Sequence, residues 1–336
     1  MEKPEKKAVI RGNHMNKKRR AIIASNEISE LKEYTLNGYA QKVLVEGKKR
    51  TNPIVIFLHG GPGSPIPFCE GCRGMFPELT EQFTMVYWDQ LGCGINNCLI
   101  DDFFSVDTFV KMTIDLVRQI GEDYKGNPIN IFAVSWGSIL AAKVAEAIPG
   151  LLNRVVIYGQ VLKQLSFNEE VFAALDKTDL PKKQKERLLV MRQSPVHSLE
   201  ELKTIMGWIG KYTEGYQSKK GGKTPIGSIL IGLLGSPDYS LKDFKAIVVN
   251  GYMKNKSLLT ELMGIDLSET LKRVDVPYLI LQGDTDIVTS TSMVSNFVKA
   301  AGNDKLHYLQ VENSGHLPSA GGMDMILDKG FEFLKQ

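Results

Sequence analysis

The chain has 336 residues, 43% of them hydrophobic and 24% charged, a composition that excludes a disordered chain. Its length allows two domains, or one large domain with an insertion, and a core that needs no disulfide staples; no run reaches the ~18 consecutive apolar residues of a membrane-spanning helix. The net charge of +3 is uneven: the first 20 residues hold eight Lys or Arg and two Glu, so residues 21–336 carry −3, which argues against a basic nucleic-acid-binding face on the fold.

Residues 1–30 read as a basic tail, disordered and solvated. The tail lacks the 7–15-residue apolar region of a secretory signal. Met15, followed by Asn16-Lys17-Lys18-Arg19-Arg20, reads either as an alternative start or as a junction. Four cysteines are too few for a disulfide scaffold, and without a signal the expected compartment is the cytoplasm. Cys69-Glu70-Gly71-Cys72 is a C-x-x-C, but Cys93 and Cys98 have the wrong spacing for a second such pair. Free loop thiols are therefore favoured over a structural zinc site, and no metal is expected.

Along the chain, Glu33 to Glu46 alternates around Asn37-Gly38, a hairpin signal. Pro53 to Leu58 is continuously apolar, as a strand buried on both faces should be, and Phe83 to Trp88 is the next such run. Val106 to Tyr124 follows with Phe109, Met112, Leu116 and Ile120 at helical spacing. A strand over Ile129 to Val134, a helix from Trp136 to Ile148 stopped by Pro149-Gly150, and a strand over Val155 to Tyr158 complete the first half. Residues 161–270 are Lys/Glu-rich and helical, broken by Pro181, Pro195, Gly221-Gly222 and Pro237. Strands then resume over Tyr278 to Gln282 and Leu306 to Val311, with helices near Ser290 to Ala301 and at the C-terminus. This alternation predicts an α/β fold with a mostly parallel sheet. Residues 31–160 and 271–336 form its core, and residues 161–270 interrupt it as a helical insertion.

Ala133-Val134-Ser135-Trp136-Gly137 sits where a buried strand turns into a helix. A tight turn there needs small neighbours, and it would lift the Ser135 hydroxyl above the sheet. The competing reading is a serine N-cap. A serine nucleophile needs a base, and the chain has five histidines. His14 lies in the tail, His197 in the helical block and His307 inside a strand, while His59 opens a Gly-rich loop. His316 follows the last strand. Loops after parallel strands gather at one sheet edge, so Ser135, Asp286 and His316 fall together in the order Ser, acid, His. Asp286 lies further past its strand than Asp284, which reads as a turn residue. His59-Gly60-Gly61-Pro62-Gly63 can present backbone N–H groups to an anion, and no Gly-Lys-Ser/Thr follows to make it a phosphate loop. The Gly61–Pro62 peptide is a candidate cis bond.

His59-Gly60-Gly61-Pro62-Gly63, Trp88-Asp89-Gln90-Leu91-Gly92-Cys93-Gly94 and Ser135-Trp136-Gly137-Ser138, in this order, resemble the proline iminopeptidase group of α/β-hydrolases over residues 35–336. The resemblance implies an α/β-hydrolase fold with residues 161–270 as a cap, and cofactor-free acylation and deacylation. It implies a triad of Ser135, Asp286 and His316, with the Gly61 and Trp136 N–H groups as oxyanion donors. The chain departs from the group at Leu91, where Arg is usual, and at Ala133, where Gly is usual. Aminopeptidases of the group hold the substrate's α-ammonium with cap carboxylates. Glu169 and Glu170 are candidates for this by location only, against the plainer reading of exposed helix charges; Glu70 stands in the same position.

The expected activity is that of a serine hydrolase, an aminopeptidase releasing an N-terminal residue of proline type from short peptides. An esterase or amidase of a small metabolite is the alternative within that class, and a non-catalytic ligand-binding homologue the alternative outside it. Ser at the elbow disfavours an Asp-nucleophile dehalogenase or epoxide hydrolase. The expected partner is a short peptide or a small ester or amide, with neither nucleic acid nor membrane span.

Overall fold

The computed structural model describes residues 17–336; His14, Met15 and the first half of the expected tail lie outside them. The second half of that tail differs from expectation. Residues 17–25 form a helix, α1, and the first strand, β1, already runs over Ile28–Leu36. Arg19 explains the order: it is 8% exposed, and its guanidinium donates to the carbonyls of Gly71, Arg73 and Gly232. A charge that the sequence counts as solvated is thus spent on carbonyl groups.

β1 pairs with β2 (Tyr39–Gly47) through a two-residue turn at Asn37 and Gly38, with φ of 48° and 82°. Positive φ at both positions is what a type I′ turn requires. β3 (Ile54–Leu58), α2 (Pro77–Thr80) and β4 (Thr84–Tyr87) follow, then α3 (Val106–Asp123), opened by a Ser105–Thr108 capping box. β5 (Ile129–Val134), α4 (Trp136–Ala147) and β6 (Arg154–Tyr158) complete the first half. Between β6 and the next strand the named elements are helical: α5 (Glu169–Asp176), α6 (Lys182–Gln193), α7 (Leu199–Tyr212), α8 (Ile226–Leu233), α9 (Leu241–Lys245), α10 (Lys256–Met263) and α11 (Ser268–Lys272). β7 (Tyr278–Gly283), α12 (Thr291–Ala300), β8 (Leu306–Val311) and α13 (Ala320–Leu334) close the chain.

The eight strands form one sheet in the order β1-β2-β4-β3-β5-β6-β7-β8, antiparallel through β1, β2 and β4 and parallel from β4 onward. Strand period two divides the continuous apolar runs between the faces. Ile54, Ile56, Leu58 and Ile131 pack with residues of α3 and α4. Val55, Phe57, Phe132 and Val156 pack with Ile326 and Phe331 of α13. The helical insertion has its own small core around Phe172, Leu188, Ile205, Trp208 and Ile209. No described helix is long and apolar enough to cross a membrane.

Candidate active site

Four of the parallel strands end in the loops that hold the candidate residues. β3 runs into the glycine loop, β5 into Ser135, and β7 into Asp286, while His316 follows β8. Ser135 has φ 51° and ψ −115°, a conformation costly for a residue with a Cβ. The elbow works only because its surroundings are small. A Cβ on Gly137 would lie 2.2 Å from the Leu58 carbonyl oxygen, and one on Gly60 would lie 3.4 Å from the Ser135 Cβ. Ser135 occupies the N-cap position of α4 but its hydroxyl makes no capping bond. Instead its Oγ lies 2.9 Å from His316 Nε2.

His316 Nδ1 lies 2.9 Å from Asp286 Oδ2. Asp286 is fully buried, which is costly for a carboxylate unless its lone pairs are filled. They are: Oδ1 accepts from the Val288 and Thr289 backbone N–H groups at 2.8 and 3.1 Å, and Oδ2 accepts from the Thr289 hydroxyl at 2.7 Å and from Gln282 Nε2 at 3.3 Å. Asp284 turns the other way and accepts from the Asn313 and Ser314 N–H groups, both at 2.9 Å. It holds the turn that leads to His316, as a turn residue should.

His59 belongs to the scaffold. It is fully buried, its Nδ1 bonds the Gly60 carbonyl at 2.9 Å and its Nε2 accepts from the Gln90 N–H at 3.0 Å. Burial pushes its pKa down to about 4, so it stays neutral. Gln90 passes the support on, its Oε1 accepting from the Trp136 indole at 2.7 Å. The Gly61–Pro62 peptide is cis, and neither the Gly61 nor the Trp136 backbone N–H donates to another group among the described residues.

The helical insertion supplies contacts that carry no sequence motif. The segment after α7 lies against the His316 loop: the His316 N–H donates to the Gly215 carbonyl at 3.0 Å, and Leu317 N–H to that of Tyr216 at 2.7 Å. A Cβ on Gly315 would meet the Tyr216 carbonyl at 2.8 Å, so that close approach needs glycine. Asn250 Nδ2 donates to the Gly63 carbonyl at 2.8 Å. These residues sit in irregular connections, where side-chain periodicity gives no signal.

A cavity of about 410 Å³ lies over Ser135 and His316, lined also by Gly61, Pro62, Leu202, Lys203, Met206, Asn250, Tyr252 and Val288. Leu199, Leu202, Lys203 and Met206 recur at three- and four-residue spacing and form the face that α7 turns to it. Among the described residues of that lining, Lys203 brings a cationic side chain and no carboxylate contributes. Glu169 and Glu170 are not brought to it. Glu169 pairs with Arg192, and Glu170 accepts from the Ser290 hydroxyl at 2.7 Å. They begin α5, where acidic side chains favour the helix N-terminus.

Glu70 is also elsewhere, fully buried beside Asp89. Burial, with Asp89 nearby, pushes its pKa well above the ordinary carboxylate range. Asp89 is itself raised to about 6 by burial, although Tyr239 and the Ile95 and Glu70 N–H groups donate to it. Cys69 and Cys72 are buried free thiols with sulfurs 3.6 Å apart. Among the described residues no cluster of His, Cys, Asp and Glu is arranged to hold a metal. Leu91, at the position of the usual Arg, is buried in the core that packs against α3 and α4.

A family model of the alpha/beta hydrolase fold matches residues 53–321. The chain is 24% identical over 304 residues to a probable aminopeptidase, YbaC, of Bacillus subtilis (strain 168), covering 88% of this chain and 93% of that protein. Among solved structures, VinJ superposes with a TM-score of 0.60 at 18% identity, covering 92% of this chain and 99% of its own. The proline iminopeptidase of Mycobacterium smegmatis does so with a TM-score of 0.56 at 17% identity, covering 90% and 95%. With the sheet order, the elbow and the match agreeing over most of its length, the chain belongs to the α/β-hydrolase fold family and has aminopeptidase-like relatives.

Proposed function

We propose that the protein is a serine hydrolase that cleaves an ester or amide bond of a small substrate, without a cofactor. The observation that carries this reading is the continuous chain from Ser135 Oγ through His316 to the buried Asp286 carboxylate, with 2.9 Å at both links. In this reading Ser135 attacks the carbonyl carbon while His316 takes its proton through Nε2. Asp286 holds the imidazole with Nδ1–H toward itself and stabilises the charged ring. The unspent Gly61 and Trp136 N–H groups receive the oxyanion, the latter at a helix N-terminus that favours negative charge. The leaving group takes the proton back from His316, and water repeats the sequence to free Ser135. Residues 161–270 act as a cap that covers the site and excludes water.

Two readings of the substrate compete. Likeness to the probable aminopeptidase YbaC supports release of an N-terminal residue from a short peptide. A free α-ammonium, however, needs a carboxylate, because a buried unpaired charge is costly, and the cavity lining offers Lys203 instead. That lining favours the second reading, an esterase or amidase whose substrate carries no free ammonium. The test is a panel of Pro-, Ala- and Leu-4-nitroanilides, their N-blocked forms and short 4-nitrophenyl esters, each against wild type and Ser135→Ala. Ser135-dependent cleavage of esters and blocked amides is expected. Cleavage restricted to free amines restores the aminopeptidase reading, and activity that survives Ser135→Ala refutes the nucleophile.

A further inference from the structure

A second cavity, of about 230 Å³, lies between the sheet and α13. Phe57, Phe132 and Tyr158 from the ends of β3, β5 and β6 form one wall, and Met323 and Ile326 of α13 form another. Two of its polar neighbours are already engaged, the Tyr158 hydroxyl donating to the Gly315 carbonyl and the Thr224 hydroxyl to that of Pro318, and Ser64 and Tyr216 add hydroxyls to an otherwise mostly apolar lining. Water would find few partners there, whereas an apolar group would fit. Dry cavities of about 150 Å³ accept a benzene-sized molecule, so this one has room for a six-carbon ring or chain. It is not an isolated packing gap, because His316 and Ser64 line both it and the cavity over Ser135.

We propose that this side cavity is the subsite for an apolar leaving group, so that the substrate is an ester or amide of a hydrophobic alcohol or amine. The inference rests on the serine-hydrolase reading of the site. His316 assigns the arm. It must hand its proton to the departing oxygen or nitrogen as the bond to the carbonyl carbon breaks, so the group beside it is the leaving group. Ser135 and Gly61, which would hold the acyl carbon and its oxyanion, line only the larger cavity. The acyl part therefore lies under Lys203 and the leaving group lies against α13.

The test is kcat/KM for acetate esters from methyl to octyl, set against an acyl series of 4-nitrophenyl esters. Each methylene that enters a dry apolar site contributes up to about fourfold, so the alcohol series is expected to climb to about six carbons and level off. Met323→Trp, which fills the cavity, is expected to flatten the climb, and Met323→Ala to carry it to longer alcohols. A flat alcohol series, or a gradient that follows the acyl chain alone, overturns the assignment while leaving Ser135-dependent hydrolysis in place. A second measurement needs no turnover: protection of Ser135 from a fluorophosphonate probe by 1-butanol, 1-hexanol and 1-octanol. Protection that deepens from 1-butanol to 1-hexanol, levels off at 1-octanol and disappears in Met323→Trp is expected; equal protection by all three, or none, refutes the subsite. Failure of the probe to label wild type, or labelling that persists in Ser135→Ala, refutes instead the serine-hydrolase reading on which it rests.

Discussion

Replacing Ser135 separates what the elbow costs from what it does. Ser135→Ala and Ser135→Gly both remove the 2.9 Å bond to His316, but only the glycine variant relieves a backbone held at φ 51° and ψ −115°. A strained conformation of this kind costs about 1–3 kcal/mol. Glycine gives back about 0.4–1 kcal/mol through the freedom it adds to the unfolded chain. The net gain of Gly over Ala is then about 0.5–2 kcal/mol. Unfolding entropy near about 2.1 cal/mol/K per residue makes this a rise of roughly 1–3 °C for a chain of this size. Calorimetry on both variants at one pH measures it, and hydrolysis should fall by about 10⁵–10⁶ in both. A glycine variant that melts at or below the alanine variant would refute the claim that the nucleophile's position is a strained one.

Asp286→Asn keeps an acceptor for the Val288 and Thr289 N–H groups but no longer favours Nδ1–H on His316; kcat should drop by about 10⁴ with folding retained, and a loss under tenfold would mean that the carboxylate is dispensable. Gly137→Ala places a Cβ 2.2 Å from the Leu58 carbonyl and should lower stability by about 3 kcal/mol, read as a shift of the urea midpoint at constant slope. The raised pKa of Asp89, about 6 against an ordinary 3.8, means that the folded state prefers the protonated acid. Its contribution of about 3 kcal/mol is fully present below pH 3.8 and is lost as pH rises through about 6. Glu70 is raised in the same direction, so the melting temperature of Glu70→Gln minus that of wild type should grow as pH rises from 4 to 8; a difference that shrinks would reverse the sign of this argument.

The sheet was largely legible because its strands are short apolar runs bounded by turn residues. Ile129–Val134 is the observed β5, and α3 and α4 end within a residue of their expected limits. That Ser135, Asp286 and His316 lie together was legible because loops after parallel strands share one edge, and because few histidines compete. The place of Lys203 was not, since a lysine on an amphipathic helix looks the same whether it faces solvent or a cavity. Gln282 and Thr289, which brace Asp286, carry no motif. Glu169 and Glu170 lie away from the cavity lining for the reason that α5 exists: acids at a helix start serve the helix. The described half of the tail misled because charge count says nothing about carbonyl groups waiting on another part of the chain, as they wait for Arg19.

The bonds from the His316 loop to Gly215 and Tyr216 bear on how such a protein can be rebuilt. The insertion does more than roof the cavity, since part of it is the floor on which His316 rests. Exchanging the insertion for that of another hydrolase at the ends of β6 and β7 would carry away this support. A transplant that keeps the His316 loop in place has to leave residues 214–217 with the recipient. The boundary between the exchangeable part of this molecule and the part that supports His316 therefore runs through the middle of the insertion.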